Sequence, residues 1–420
     1  MNPAALKGLE PCVHCGFCLQ SCPTYLATSD EADSPRGRIV LMRSMAAGRL
    51  STHDSVLATH LDRCLGCRAC EPVCPSGVQY GHAIEDARRV LADVRPIPLP
   101  VRFIHAVMAE DRLRRPLLAL ARLARPLAGK LAGRSRLGFA MGMLAASGPA
   151  RLGSRGTGRM RSPHEEAPAP PPSRQAVLLD GCIMSSLFGH VHDATDRVLR
   201  LNGFRLLDTV GQGCCGALHA HAGQHEQALA LARRNVTAFA KLPADVPIVV
   251  NAAGCGAMLK EYGRLLSDDP MGDQATAFSA RVRDVSELLA TGSSCKGAPL
   301  GVTVAYDPPC HLLHAQGIAT EPLAIIDAVP GIERVTHCDA DVCCGSAGSF
   351  TFSQPEISNT VLAQKIDTLR ASNPDVIATG NPGCIMQIGA GLRADGDHTP
   401  VVHPIELLDW SYAEAGLYDK

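Results

Sequence analysis

The chain has 420 residues, 46% hydrophobic but only 4% aromatic, which implies two or three domains with cores built from Ala, Leu and Val. A formal net charge of −1 removes any general pull toward nucleic acid, and no run reaches the ~18 uninterrupted apolar residues of a membrane span. Eighteen cysteines, with no secretory h-region ahead of the first, argue for a reducing, cytoplasmic setting and for thiolate ligation over disulfides.

Residues 1–95 read as an α-helical module that carries two cysteine runs of one spacing. The first is Cys12-x2-Cys15-x2-Cys18-x3-Cys22-Pro23 and the second Cys64-x2-Cys67-x2-Cys70-x3-Cys74-Pro75, 52 residues further on. This spacing wraps a cubane [4Fe–4S] cluster. Steps of three residues put three sulfurs around one face, and in two-cluster ferredoxins the fourth Cys reaches the other cluster. The expected ligand sets are therefore Cys12, Cys15, Cys18 and Cys74 for one cluster, and Cys64, Cys67, Cys70 and Cys22 for the other. Zinc is the competing reading, but its sites close with two separated pairs, not with a four-Cys run ending in Pro. Gly16 follows the second Cys of its run and Gly66 precedes the second Cys of the other, and at both places backbone N–H groups can approach sulfur. Short helices are expected over 38–45 and 51–61, and a longer one from Tyr80 to Val94, stopped by Pro96, Pro98 and Pro100.

Residues 96–175 read as a basic helical segment and a linker. From Val101 to Arg161 there are 13 Lys/Arg against 2 Asp/Glu, and Leu113, Leu117, Leu118, Leu120, Leu123, Leu127 and Leu131 recur at helical spacing, interrupted by Pro116 and Pro126. Such a stretch docks on an anionic membrane face or an acidic partner, or is an ordinary helix pair with a solvated basic face. Pro168, Pro170, Pro171 and Pro172 mark a polyproline-type linker.

The remainder is a tandem repeat, read as α/β domains over 176–292 and 300–412. Strands at Ala176–Asp180, Ile248–Val250, Val302–Tyr306 and Val376–Ala378 frame Cys182, Cys214-Cys215-Gly216 and Cys255 in one copy and Cys310, Cys343-Cys344-Gly345 and Cys384 in the other. Equivalent cysteines are offset by 128, 129, 129 and 129 residues, and Val285–Leu289 matches Pro404–Leu408. Cysteines on loops at strand ends sit where open α/β sheets bind ligands. Two adjacent cysteines cannot share one small ion without strain, but they can reach neighbouring irons of a larger cluster; the alternative is that all eight are buried packing residues. Cys295 and Cys338 have no counterparts and read as structural. His219, His221, His225, His311 and His314 stand near these motifs as candidate ligands or proton carriers. Gly211-Gln212-Gly213 does not continue into a dinucleotide fingerprint, so no catalytic residue is assigned.

The stretch Cys12-Val13-His14-Cys15-Gly16-Phe17-Cys18 through Cys22-Pro23-Thr24-Tyr25, then Asp33-Ser34-Pro35-Arg36-Gly37-Arg38, resembles the opening of glycolate oxidase iron–sulfur subunits. The likeness continues through Cys64–Val78, Asp307-Pro308-Pro309-Cys310-His311-Leu312 and Asn381-Pro382-Gly383-Cys384. It implies a subunit of a multi-protein glycolate dehydrogenase, with two 4Fe–4S clusters here and FAD on partner subunits that oxidise glycolate to glyoxylate. Electrons would pass from the flavin to a quinone or other membrane acceptor, with docking on the inner face of the membrane as one option. The chain alone is expected not to oxidise glycolate. In the related heterodisulfide reductases the Cys-Cys-Gly motif has five cysteines; here Ala252 and Asn381 replace one in each copy. Equivalent subunits of glycerol-3-phosphate or lactate dehydrogenases, or a thiol/disulfide reductase, are the alternatives.

Overall fold

The computed structural model describes residues 1, 3–150, 174–290 and 295–418. The expected Pro-rich linker and the 292 boundary lie outside the described residues.

The N-terminal module packs short helices around the two cysteine runs. Ser34 caps the Pro35–Ala46 helix by accepting from Gly37 N–H, and Pro35 takes the first turn, where its missing N–H costs nothing. Asp54 caps Ser55–Asp62, and Tyr80–Val94 follows the second run. Leu9, Ile39, Met42, Leu57, Leu61, Ile84 and Leu91 fill the module's core.

Three helices follow: Leu99–Ala109, Asp111–Leu131 and Arg136–Ala146. Pro116 and Pro126 do not interrupt the second helix, contrary to expectation. Both rings are exposed, so they point to water, and the carbonyls that lose a donor lie where solvent reaches them. The third helix is not part of a solvated pair. Gly142 packs on Ala390 and Ala146 on Gly389 of the Pro382–Ala394 helix, so small residues let the two backbones approach closely.

Among the described residues the repeats form two four-stranded, all-parallel sheets of the same order. The first holds β1 (Arg174–Leu178), β2 (Phe204–Leu207), β3 (Ile248–Val250) and β4 (Val282–Asp284), ordered β2-β1-β3-β4. The second holds β5 (Val302–Tyr306), β6 (Ile332–Val335), β7 (Val376–Ala378) and β8 (Val401–Val402), ordered β6-β5-β7-β8. β3 and β7 are buried throughout, as strands covered on both faces should be. The strand expected at Ala176–Asp180 starts two residues earlier, because β1 pairs with β2 from Arg174↔Phe204 onward.

The repeats embrace reciprocally. The Gly189–Leu201 helix of the first packs on the Pro404–Glu414 helix of the second, and Glu321–Asp327 packs on Val285–Leu289 in return. Each sheet's last strand feeds a helix with a capping box, Asp284 with Glu287 and His403 with Glu406. A bidentate Arg197–Asp409 pair at 2.9 and 2.7 Å clamps the joint.

Candidate metal centres

Two cavities lie in the N-terminal module. The outer one is lined by Cys12, Cys15, Cys18 and Cys74 with Pro35, Arg36 and Tyr80. The inner one is lined by Cys22, Cys64, Cys67 and Cys70 with Pro35, Arg38 and Tyr80. Cys70 borders both cavities. The fold thus gathers three cysteines of one run with the last of the other around each space. The loops match in backbone too. His14, Gly16, Gly66 and Arg68 all have positive φ, at 57, 90, 66 and 61°, which turns the chain tightly around each cavity.

The two cages differ in exposure. Cys15 is exposed, and Val13 and Phe17 beside it are 71% and 67% exposed, so the outer cage opens on an apolar rim. Around the inner cage, burial pushes the Cys67 and Cys70 thiols well above the usual range. At Cys64 burial acts in the same direction, but Arg38 and Arg88 outweigh it and draw the thiol below its ordinary value. Tyr80 O–H and Gly66 N–H donate to Cys64 Sγ at 3.5 and 3.4 Å, and the Thr24 hydroxyl lies 3.3 Å from Cys22 Sγ. Buried sulfurs supplied with donors and guanidinium charge are suited to hold a metal cluster as thiolates.

Each repeat also gathers its four thiols at the carboxyl ends of its strands. In the first, Cys182, Cys214 and Cys215 make successive thiol contacts, and Cys215 Sγ lies 3.3 Å from Cys255 Sγ. In the second, Cys310 Sγ lies 3.8 Å from Cys343 Sγ and Cys344 Sγ lies 3.0 Å from Cys384 Sγ. Gly216 and Gly345 adopt φ of 84 and 83°, which turns the chain sharply after each Cys-Cys pair. Contact with Cys214 and with Cys343, and then burial, push Cys182 and Cys310 well above the usual thiol range. Crowded neutral thiols of this kind ionise when a bound metal supplies the charge.

The two sets face different neighbours. Cys310 and Cys343 pack with Cys67 and Leu65 of the inner cage loop, while Cys182 and Cys214 pack with Met108 and Ala109. Asn381 links the sets: its amide donates to Cys384 Sγ at 3.5 Å and accepts from Gly254 N–H at 3.3 Å, beside Cys255. Of the histidines singled out, His311 lies at the junction and bonds Gly66 O at 3.1 Å through Nε2; burial holds it neutral, its pKa lowered to about 4. His221 pairs with Glu85 at 3.0 Å and lies 5.3 Å from the His311 ring. His219 packs near His105 in the interior. His225 begins a helix, and His314 bonds Asp341 O at the surface. Cys295 contacts Leu201 O. Cys338 is exposed on a loop, so it is not the packing residue expected. Sequence reasoning missed Thr24 and Tyr80 as sulfur partners, and also the Asp307–Lys365 pair, buried at 2.8 Å near Cys343 and Cys344.

Residues 8–78 match the 4Fe-4S dicluster domain family, and residues 176–260 and 304–389 each match the cysteine-rich domain family. The chain is 34% identical to the probable glycolate oxidase iron-sulfur subunit of Bacillus subtilis, over 94% of this chain and 92% of that one. It is 33% identical to the glycolate oxidase iron-sulfur subunit of Escherichia coli, over 97% and 96%. The chain belongs to the glycolate oxidase iron–sulfur subunit family. A more distant relative of this family member, at 28% identity over 97% of the chain and 73% of the relative, is a fumarate reductase (CoM/CoB) subunit of Methanothermobacter marburgensis. A hypothetical protein from Helicobacter pylori shares the fold alone, with a TM-score of 0.56 at 9% identity over 99% of this chain and 75% of that one. No helix among the described residues is long and apolar enough to cross a membrane.

Proposed function

We propose that this chain is the electron-transfer subunit of a glycolate dehydrogenase. It takes electrons from an FAD-bearing partner and passes them toward a quinone-type acceptor. The observation that carries the reading is the crosswise gathering of the two cysteine runs into adjacent cages. Cys12, Cys15, Cys18 and Cys74 would hold one 4Fe–4S cluster and Cys22, Cys64, Cys67 and Cys70 the other. Bound there, each cluster would exchange one electron at a time, which suits a relay from a two-electron flavin. The chain's own part is to seat the clusters, exclude water from the inner cage and present the apolar rim of Val13 and Phe17 to the flavin partner.

The four-thiol sets of the repeats would hold further metal cofactors, through Cys182, Cys214, Cys215 and Cys255 and through Cys310, Cys343, Cys344 and Cys384. The working divisions are 1–95, 96–175, 176–292 and 300–412. Peripheral membrane association falls to the Asp111–Leu131 helix. Leu113, Leu120, Leu123 and Leu127 are exposed there, Leu123 at 80%, beside exposed Arg112, Arg115, Arg122 and Lys130. Apolar side chains flanked by exposed cations fit an anionic bilayer surface.

The test is affinity purification of the native complex without oxygen, with iron and flavin quantified. About eight irons for the two cages alone, together with flavin on a separate polypeptide, are expected. Glycolate-dependent dye reduction by the isolated chain, or zinc in place of iron, overturns the reading.

A further inference from the structure

The Ser34-Pro35-Arg36-Gly37-Arg38 motif has no part in ligation, yet it forms a wall of both cages. Pro35 lines both cavities, Arg36 only the outer and Arg38 only the inner. Gly37 locks this arrangement, since a Cβ there would stand 2.0 Å from Glu31 O. Two residues apart on a helix, the arginines project in nearly opposite directions.

Their surroundings differ sharply. Arg36 is 32% exposed and is neutralised by Glu31 through contacts at 2.6 and 3.3 Å. Arg38 is 1% exposed. Its guanidinium donates to His60 O at 2.7 Å, to Thr24 Oγ1 at 3.0 Å and to Asp33 Oδ1 at 3.3 Å. Asp33 is shared with Arg63 at 3.0 Å and His60 at 2.9 Å, so one carboxylate serves two guanidinium groups and the pocket keeps a positive excess. Arg88 adds a third guanidinium, which donates to Cys64 O. Through Thr24, Arg38 is also linked to Cys22 Sγ by two successive hydrogen bonds.

We propose that Arg38 is a fixed counter-charge for the inner cage, raising the reduction potential of the cluster held there, while Arg36 does little for the outer one. The proposal rests on the reading that the cages hold clusters. A cluster held by four thiolates is anionic and gains a further negative charge on reduction, so a nearby buried cation favours the reduced form. Burial alone acts the other way, by removing water from the more highly charged state. Arg38 offsets that penalty from inside the low-dielectric region. Arg36 is screened by solvent and by its own partner.

The experiment is an EPR-monitored redox titration of the full chain, purified anaerobically, with iron content and thermal melting measured alongside. Two reducible clusters in the unaltered chain are the premise, and their absence sinks the underlying reading of the cages rather than this one. With the sample poised at the wild-type inner midpoint, Arg38→Gln is expected to lower the reduced-to-oxidised ratio of the inner cluster roughly tenfold. Arg38→Lys restores most of it, Arg36→Gln leaves both clusters near wild type, and Asp33→Asn shifts the inner ratio upward. Opposite signs from Arg38→Gln and Asp33→Asn distinguish a charge effect from loosened packing. The proposal is overturned by an iron-replete Arg38→Gln protein with unmoved midpoints, or by Arg38→Lys behaving like Arg38→Gln. If Arg38→Gln loses iron, Asp33→Asn decides, and an unmoved or lowered midpoint overturns the proposal. Loss of inner iron from both variants assigns Arg38 a structural role and overturns it equally.

Discussion

The two cysteine-rich repeats carry the same sheet order and the same four thiols, yet each turns those thiols toward a different neighbour. The second sets Cys310 and Cys343 against Cys67 and Leu65 of the inner cage, and His311 ties the joint to Gly66 O. The first sets Cys182 and Cys214 against the end of the Leu99–Ala109 helix. The two repeats supply equivalent thiol sets, and their embrace sets one of them beside the N-terminal module's sulfurs. The polar support beneath the thiols has diverged as well. The second repeat buries the Asp307–Lys365 ion pair, while the first uses Asn235, bonded to Gly213 N–H, Cys214 O and Tyr262 Oη.

The largest test of this asymmetry is thiol removal. Cys343→Ser is expected to abolish any cofactor in the second repeat and to alter the EPR line shape of the inner cluster. Cys214→Ser should empty the first repeat and leave that line shape unchanged; equal effects from both would break the distinction. Next comes stability. Lys365→Met leaves Asp307 buried and uncompensated, at an expected cost of about 3–5 kcal/mol in chemical denaturation. Asn235→Ala removes neutral hydrogen bonds and should cost about 1–3 kcal/mol.

The edges of the repeats were poorly legible in the sequence, for a physical reason. β3, β5 and β7 stand out as short apolar runs because they lie in the sheet interior. β2 (Phe-Arg-Leu-Leu) and β6 (Ile-Glu-Arg-Val) are edge strands whose charged residues face water, so they blend into loop sequence. The cysteine register pointed to both cages and both thiol sets, through the matched spacing of the two runs and the constant 128–129-residue offset between the repeats. The burial of Arg38 was not legible, since its partners Thr24 and His60 lie 14 and 22 residues away along the chain.

A smaller effect concerns the helix that follows β7. Pro382–Ala394 is covered by Arg136–Ala146, whereas the matching helix of the first repeat, Ala253–Lys260, is shorter. Gly389→Ala would place a Cβ 2.6 Å from Ala146 Cβ, an overpacking expected to cost about 1–3 kcal/mol and read as a lowered melting temperature.

The smallest effect is in the capping boxes and depends on pH. Burial raises Asp284 to about 6 in the first repeat and Glu406 to about 7 in the second. A carboxyl whose folded value is raised holds its proton longer in the folded state, so stability falls as pH rises from the unfolded value through the folded one. The window is about pH 4 to 6 for Asp284 and about pH 4.5 to 7 for Glu406. His403 opposes it: burial lowers it to about 3, so its contribution is lost as pH falls below about 6.5. Glu406→Gln should flatten the decline between pH 4.5 and 7, and Asp284→Asn the decline that ends near pH 6. Melting curves across that range check both.

The exchange of last cysteines between the two runs has a consequence for damage. Each cage borrows one wall from the other run, so neither can be dismantled without loosening its neighbour. With clusters held as proposed, loss of the one beside the exposed Cys15 would free Cys74, four residues along the chain from Cys70 on the boundary of both cavities. Assembly and decay of the pair should therefore run together, and half-filled chains should be scarce at every stage of repair.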